Sequence, residues 1–205
     1  ATSPDGINWT RYAGNPLLKT DWVEDMSVIK KDSTYYMFAE GWHDVAHLLT
    51  STDKIHWTEQ GNIDIRYTNG KPLSKGPYGT PAIWYEDGKW YLFYERGDMG
   101  IWLATSTDLK TFTNVQADPV IILGPEPYDM AQYEGVYYGF YHALATDTSK
   151  NWTSCLAASR DLVHWKKYPG NPILQENKSS PIVVFDGKQF RLYSMHNKVT
   201  LHFPN

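Results

Sequence analysis

Four carboxylates stand among neighbours that have little use for charge. They are Asp25 in Trp22-Val23-Glu24-Asp25-Met26, Glu40 at the end of Tyr35 to Glu40, Glu95 in Tyr91-Leu92-Phe93-Tyr94-Glu95-Arg96, and Asp129 in Tyr128-Asp129-Met130. Acids crowded near one another have a reason to shift their pKa values, so that one keeps a proton while another stays ionised. General acid–base chemistry needs that division of labour. His43, His142 and His196 are the histidines free to face such a site, since His56 and His164 belong to a repeated outer segment. No tight spacing of ligands supports a metal, and His43 and His47 fall on a turn and a strand, where a four-residue interval does not bring side chains together. No metal and no cofactor are expected.

A repeat must position these residues. Ser51-Thr52-Asp53-Lys54-Ile55-His56-Trp57 has counterparts at Ser3 to Trp9, Ser106 to Phe112 and Ser159 to Trp165, each reading small residue, x, Asp, three residues, aromatic. The four Asp residues are 48, 55 and 53 positions apart, near the period of about 40 to 50 residues that marks propeller blades. Asp5, Asp53, Asp108 and Asp161 read as turn-formers that accept backbone N–H bonds, and so as structural.

The repeat runs through all 205 residues and leaves no linker, so a single domain is expected over 1–205. The predicted fold is all-β: a β-propeller of four blades, each of four antiparallel strands. The blades cover about 22–62, 79–122, 128–174, and 180–205 together with 3–18. The N-terminal strand is expected to join the C-terminal blade and close the ring, which removes open sheet edges. A five-bladed protein cut short is the alternative. Asp87-Gly88 and Asp186-Gly187 supply the positive-φ turns that two-residue hairpins require.

Nine Trp and fifteen Tyr are the unusual part of the composition; they suit packing between blades and also the faces of sugars. A net charge of −4 with no Lys/Arg run gives no electrostatic footprint for nucleic acid. No apolar run reaches the length of about 18 residues that a membrane helix needs. A monomer is expected, with a secreted or periplasmic location favoured over the cytoplasm.

Aligned on their hairpins, with a shorter hairpin in the third, the units put Asp25, Thr80, Asp129 and Ser180 at equivalent places around the axis. A second ring follows from Glu40, Glu95, His142 and the Ser194 to His196 stretch.

These features resemble the furanosidase-type propeller glycoside hydrolases of families 43, 32, 62, 117 and 130. The likeness is carried by Gly79-Thr80-Pro81-Ala82-Ile83, Asp87 to Tyr94 and Ser106 to Phe112. It implies five blades in those enzymes, a base or nucleophile at the start of the first innermost strand, where Asp25 stands, a second Asp that tunes or positions, and a Glu as acid. Thr80-Pro81 departs from the family 43 pattern, and Glu126 in Gly124-Pro125-Glu126-Pro127-Tyr128-Asp129 comes near the acid's motif without matching it.

The expected activity is hydrolysis of a plant, algal or microbial oligo- or polysaccharide. Asp25 is the expected base, Glu95 the first choice for the acid with Glu40, Glu126 or His142 behind it, and Asp129 a neighbouring carboxylate that raises the acid's pKa. Trp42, Trp102 and Tyr141 are expected to stack on sugar, and Glu40, His43, Arg96, His142 and His196 to bind it. A lectin-like propeller without chemistry is the alternative, although its sites would repeat from blade to blade and these do not.

Overall fold

The computed structural model describes residues 1–19, 23–73, 78–96, 100–122, 126–145, 151–195 and 198–203. Among them the regular elements are all strands: β1 (Glu24–Lys31), β2 (Thr34–Gly41), β3 (Val45–Ser51), β4 (Thr58–Asn62), β5 (Asp64–Arg66), β6 (Ala82–Glu86), β7 (Lys89–Glu95), β8 (Gly100–Ser106), β9 (Thr111–Asn114), β10 (Ile121–Ile122), β11 (Glu126–Tyr133), β12 (Val136–Leu144), β13 (Trp152–Ser159), β14 (Trp165–Lys167), β15 (Ser179–Phe185), β16 (Phe190–Met195) and β17 (Thr200–His202). They form four sheets arranged as the blades of a four-bladed propeller. In chain order their strands run β1-β2-β3-β4, β6-β7-β8-β9, β11-β12-β13-β14 and β15-β16-β17. The second sheet is extended by β5, which adds parallel to β9, and by β10, which pairs with β8.

Local chemistry explains each meander. The first hairpins of sheets 1 to 3 turn at Asp32-Ser33, Asp87-Gly88 and Glu134-Gly135, with Asp32, Asp87 and Glu134 at φ of 55°, 48° and 49°. A left-handed turn of this kind matches the twist of the strands it joins. The repeated signature closes the outer corner in the same way. Ser51 Oγ donates to Asp53 Oδ1 at 3.0 Å, the same oxygen accepts from the N–H groups of Ile55 and His56 at 2.8 Å, and Trp57 Nε1 donates to the Lys54 carbonyl at 3.1 Å. The residue after each signature Asp is left-handed: Gly6, Lys54, Leu109 and Leu162 have φ between 64° and 73°. Bonds to the charged form hold Asp5, Asp53 and Asp161 well below the usual carboxylate range, with His56 and His164 the leading partners of the last two.

Apolar side chains fill the junctions between blades. Phe38, Leu48, Trp90, Leu92, Tyr94 and Phe112 pack between sheets 1 and 2, and Phe93, Leu103, Tyr141, Cys155 and Trp165 between sheets 2 and 3. The innermost strands β1, β6, β11 and β15 meet in sequence at these junctions.

The N-terminal copy does meet the C-terminal blade, but side-on rather than as a strand of it. Thr2 and Thr10 bridge each other, Tyr193 OH donates to the Gly6 carbonyl at 2.9 Å, Arg191 Nη1 donates to the Asp5 carbonyl, and Trp9 packs edge-on against Tyr193. Among the described residues, sheet 4 therefore has three strands.

Candidate active site

The inner ends of the sheets set the geometry. Glu24 pairs with Glu40, Glu126 with His142 and Ser179 with Met195, while Glu95 N–H donates to the Gly79 carbonyl at 3.1 Å. Two rings follow: Glu24, Glu126 and Ser179 on the first strands with Gly79 just ahead of β6, and Glu40, Glu95, His142 and Met195 on the second strands. Irregular pairing comes directly after the first ring, between Glu24 and Ser27, Pro127 and Asp129, and Ser179 and Ile182. Bulges re-aim a side chain. Here Asp25, Thr80 and Ser180 share a left-handed backbone, with φ of 42°, 43° and 49°. A non-glycine residue held there stores strain of about 1 kcal/mol or more, a recurrent feature of functional sites.

Glu40 is buried at this rim. Its Oε2 accepts from the Thr80 N–H at 2.7 Å and from Thr80 Oγ1 at 3.3 Å. Burial pushes its pKa up to about 7; the Thr80 N–H opposes the rise, and the charges of Asp25, Asp44 and Glu24 add to it. Glu40 thus holds a proton near neutrality beside Asp25. On the third sheet, Glu126 Oε2 lies 2.5 Å from His142 Nε2, and the His142 ring lies on Trp152 with centroids 4.2 Å apart. His142 is buried, whereas Glu126 keeps part of its carboxyl in solvent.

Asp129 is not equivalent to Asp25. The third hairpin is as long as the first two, so the shorter turn expected there is absent and the frame moves by two residues. Asp129 pairs with Phe140 as Ser27 pairs with Phe38 and Ala82 with Phe93. Its chemistry is that of a staple: Oδ2 accepts from the Val183 N–H and Oδ1 from the Met130 N–H, both at 2.8 Å. Ser27 Oγ does the same for the Ile83 N–H at 3.2 Å. Burial raises Asp129 to about 6 against the opposing pull of both N–H groups.

Two expected sugar platforms are also corrected. Trp102 is 5 % exposed in the core between sheets 1 and 2, and Tyr141 is 3 % exposed, with its hydroxyl accepting from Asn171 Nδ2. Neither ring has a face to offer a ligand. Trp42 is 65 % exposed on the turn that leaves β2, followed by His43 and Asp44 at φ of 65° and 53°. Arg96 donates to Tyr67 OH at 2.9 Å and lies over the Tyr67 and Trp102 rings. Glu95 is half-buried at the same depth as Glu40, and His196 lies outside the described residues. Nothing in the local sequence marks Trp152 or Gly79 for this site, and Glu126 ranks behind Glu95 by sequence alone. A signal for Glu126 exists: it precedes the Glu134-Gly135 turn by eight residues, as Glu24 precedes Asp32-Ser33. Among the described residues no three His, Cys, Asp or Glu side chains converge as a metal would need.

The model of the glycosyl hydrolases family 43 matches residues 13–114, about half of the chain. Over that stretch the chain is similar to the glycosyl hydrolases of family 43. A β-xylosidase of Formosa agariphila is 23 % identical over 177 residues, which cover 80 % of this chain and 29 % of that protein. A glycosyl hydrolase from Bacteroides ovatus superposes with a TM-score of 0.65 at 14 % identity, over 89 % of this chain and 65 % of the other. The family 32 β-fructofuranosidase of Bombyx mori superposes with a TM-score of 0.61 at 13 % identity, over 84 % and 41 %. The chain thus spans under a third of the length of the β-xylosidase it matches, and the structural likenesses establish the shared fold.

Proposed function

We propose that the protein is a glycoside hydrolase acting on an oligo- or polysaccharide, with Asp25 as the ionised base or nucleophile and Glu126 as the acid. One observation carries this reading: carboxylates occupy the inner rim on sheets 1 and 3, whose first strands β1 and β11 approach each other. Glycosidic cleavage needs carboxyl groups on both sides of the bond, about 6.5 to 9.5 Å apart for inversion or about 5 to 5.5 Å for retention. Glu40 is on the strand next to Asp25, so it cannot flank the bond from the other side. Glu126 can, which favours it over Glu95 as well, since Glu95 belongs to the adjacent sheet.

In this scheme Asp25 draws the proton from water, or attacks the anomeric carbon, while Glu126 gives its proton to the departing oxygen. His142, fixed by Trp152, holds the Glu126 carboxyl in place. With its pKa raised to about 7, Glu40 keeps its proton up to neutrality, which spares Asp25 a second negative charge nearby. Trp42 offers an exposed indole face for a sugar ring. The lectin-like alternative is not favoured, because the four inner positions differ from sheet to sheet.

Asp25→Asn should abolish hydrolysis of both natural oligosaccharides and aryl glycosides. Glu126→Gln should lose the natural substrates yet keep much of its rate on aryl glycosides whose leaving group needs no proton. A panel of aryl pentosides and hexosides with plant, algal and microbial glycans reads both. Unchanged turnover in the Asp25→Asn enzyme would overturn the assignment.

A further inference from the structure

The signature aromatics of sheets 2 and 3 each cross a blade junction. Phe112 of sheet 2 meets Phe38 of sheet 1 with ring centroids 6.1 Å apart at 87°, and Trp165 of sheet 3 meets Phe93 of sheet 2 at 5.7 Å and 85°. Phe38 and Phe93 hold the same register position, opposite Ser27 and Ala82, and Phe140 and Tyr193 are its counterparts in sheets 3 and 4, opposite Asp129 and Ile182. Trp9 meets Tyr193 at 6.4 Å and 79°, so the N-terminal copy sits as the outer segment of a sheet following sheet 4 would sit. Phe140 is the position left over. Beside it lies a cleft of about 360 Å³, lined by Ala131, Tyr133, Tyr138, Phe140, Phe185 and Phe190.

We propose that this cleft takes the aromatic side chain of a fourth strand laid on β17, and that the strand is a further copy of the small-x-Asp-x-x-x-aromatic segment rather than an unrelated protein. Continuity with the established junctions identifies the occupant. At the first junction Trp90 packs with Tyr36 and Tyr85, and Phe112 reaches over Phe38. Phe190, Tyr138 and Phe185 stand at the same register positions around the cleft, so three walls are present and the inserted ring is what they lack. Among the described residues, β17 is the last strand of its sheet, and its outer side is where an extended segment adds by backbone hydrogen bonds. An aromatic anchor in a preformed pocket then contributes the specificity.

The test is a labelled synthetic peptide with the sequence of residues 159–168, titrated into the 205-residue chain and followed by fluorescence anisotropy. Saturable one-to-one binding is expected, weakened at least tenfold when the peptide's Trp is replaced by Ala. Ala131→Trp, which fills the cleft, and Phe190→Ala, which removes a wall, should each weaken binding at least tenfold, whereas Tyr193→Ala should leave it unchanged. No saturation at millimolar peptide, equal binding of the Ala peptide, or loss of binding in Tyr193→Ala with Ala131→Trp unaffected would each overturn the proposal.

Discussion

Glu40 on the first sheet and Thr80 on the second are joined by a 2.7 Å hydrogen bond from the Thr80 N–H to Glu40 Oε2. They meet because Gly79 has no side chain: a Cβ there would stand 2.0 Å from Glu40 Oε2. Gly79→Ala must therefore push the carboxyl out of its place. A loss of about 1 to 3 kcal/mol in urea unfolding is expected, together with reduced turnover. Wild-type stability in this variant would show that the junction tolerates the displacement.

The same carboxyl makes stability depend on pH. Its folded pKa of about 7 lies above the ordinary 4.5, so the folded protein holds this proton more tightly than the unfolded chain. Its stabilisation is complete below pH 4.5 and is lost as the pH rises through 7. The loss amounts to roughly 3 kcal/mol if the whole difference is felt. Glu40→Gln keeps an acceptor for the Thr80 N–H without the charge. Urea midpoints at pH 5 and pH 8 should differ less in this variant than in the wild type.

Asp129 should behave as a staple. Asp129→Ala leaves the Val183 and Met130 N–H groups without their acceptor, at a cost of about 2 to 4 kcal/mol. Asp129→Asn retains an acceptor oxygen and should keep turnover per folded molecule within a few-fold of wild type. Complete loss of turnover in a well-folded Asn variant would return Asp129 to the chemistry.

The signature carboxylates have the opposite pH sign. Asp53 and Asp161 are held far below their ordinary value by hydrogen bonds from His56 and His164 and from nearby N–H groups. Their contribution is present above pH 3.8 and disappears as the pH falls through the folded values. Asp53→Ala should lower the urea midpoint at pH 7 with an unchanged slope, and the gap from wild type should narrow toward pH 2.

What the sequence determined by itself was local and repeated. Each Asp-x-x-x-aromatic corner is built from bonds between residues two and three apart, and the Asp87-Gly88 hairpin from the backbone preference of those residues, whereas Asp186-Gly187 lies not in the expected two-residue turn but in a longer loop between Phe185 and Phe190, closed by the Asp186 N–H to the Gln189 carbonyl. That was enough to read an all-β chain of propeller sheets, and the position of Asp25 at the start of an innermost strand. The expected equivalence of Glu40 and Glu95 also matches their register. Only the tertiary structure decided the partners. The ladder opposite Phe140 moved Asp129 out of the inner ring, core packing closed Trp102 and Tyr141 to any ligand, and the Trp9–Tyr193 contact put the N-terminal copy beside the fourth sheet instead of within it. The reason is physical: burial and pairing across a junction join residues far apart in the chain, 40 positions for Glu40–Thr80 and 54 for Asp129–Val183, and no local spacing records which face of a strand meets the next sheet.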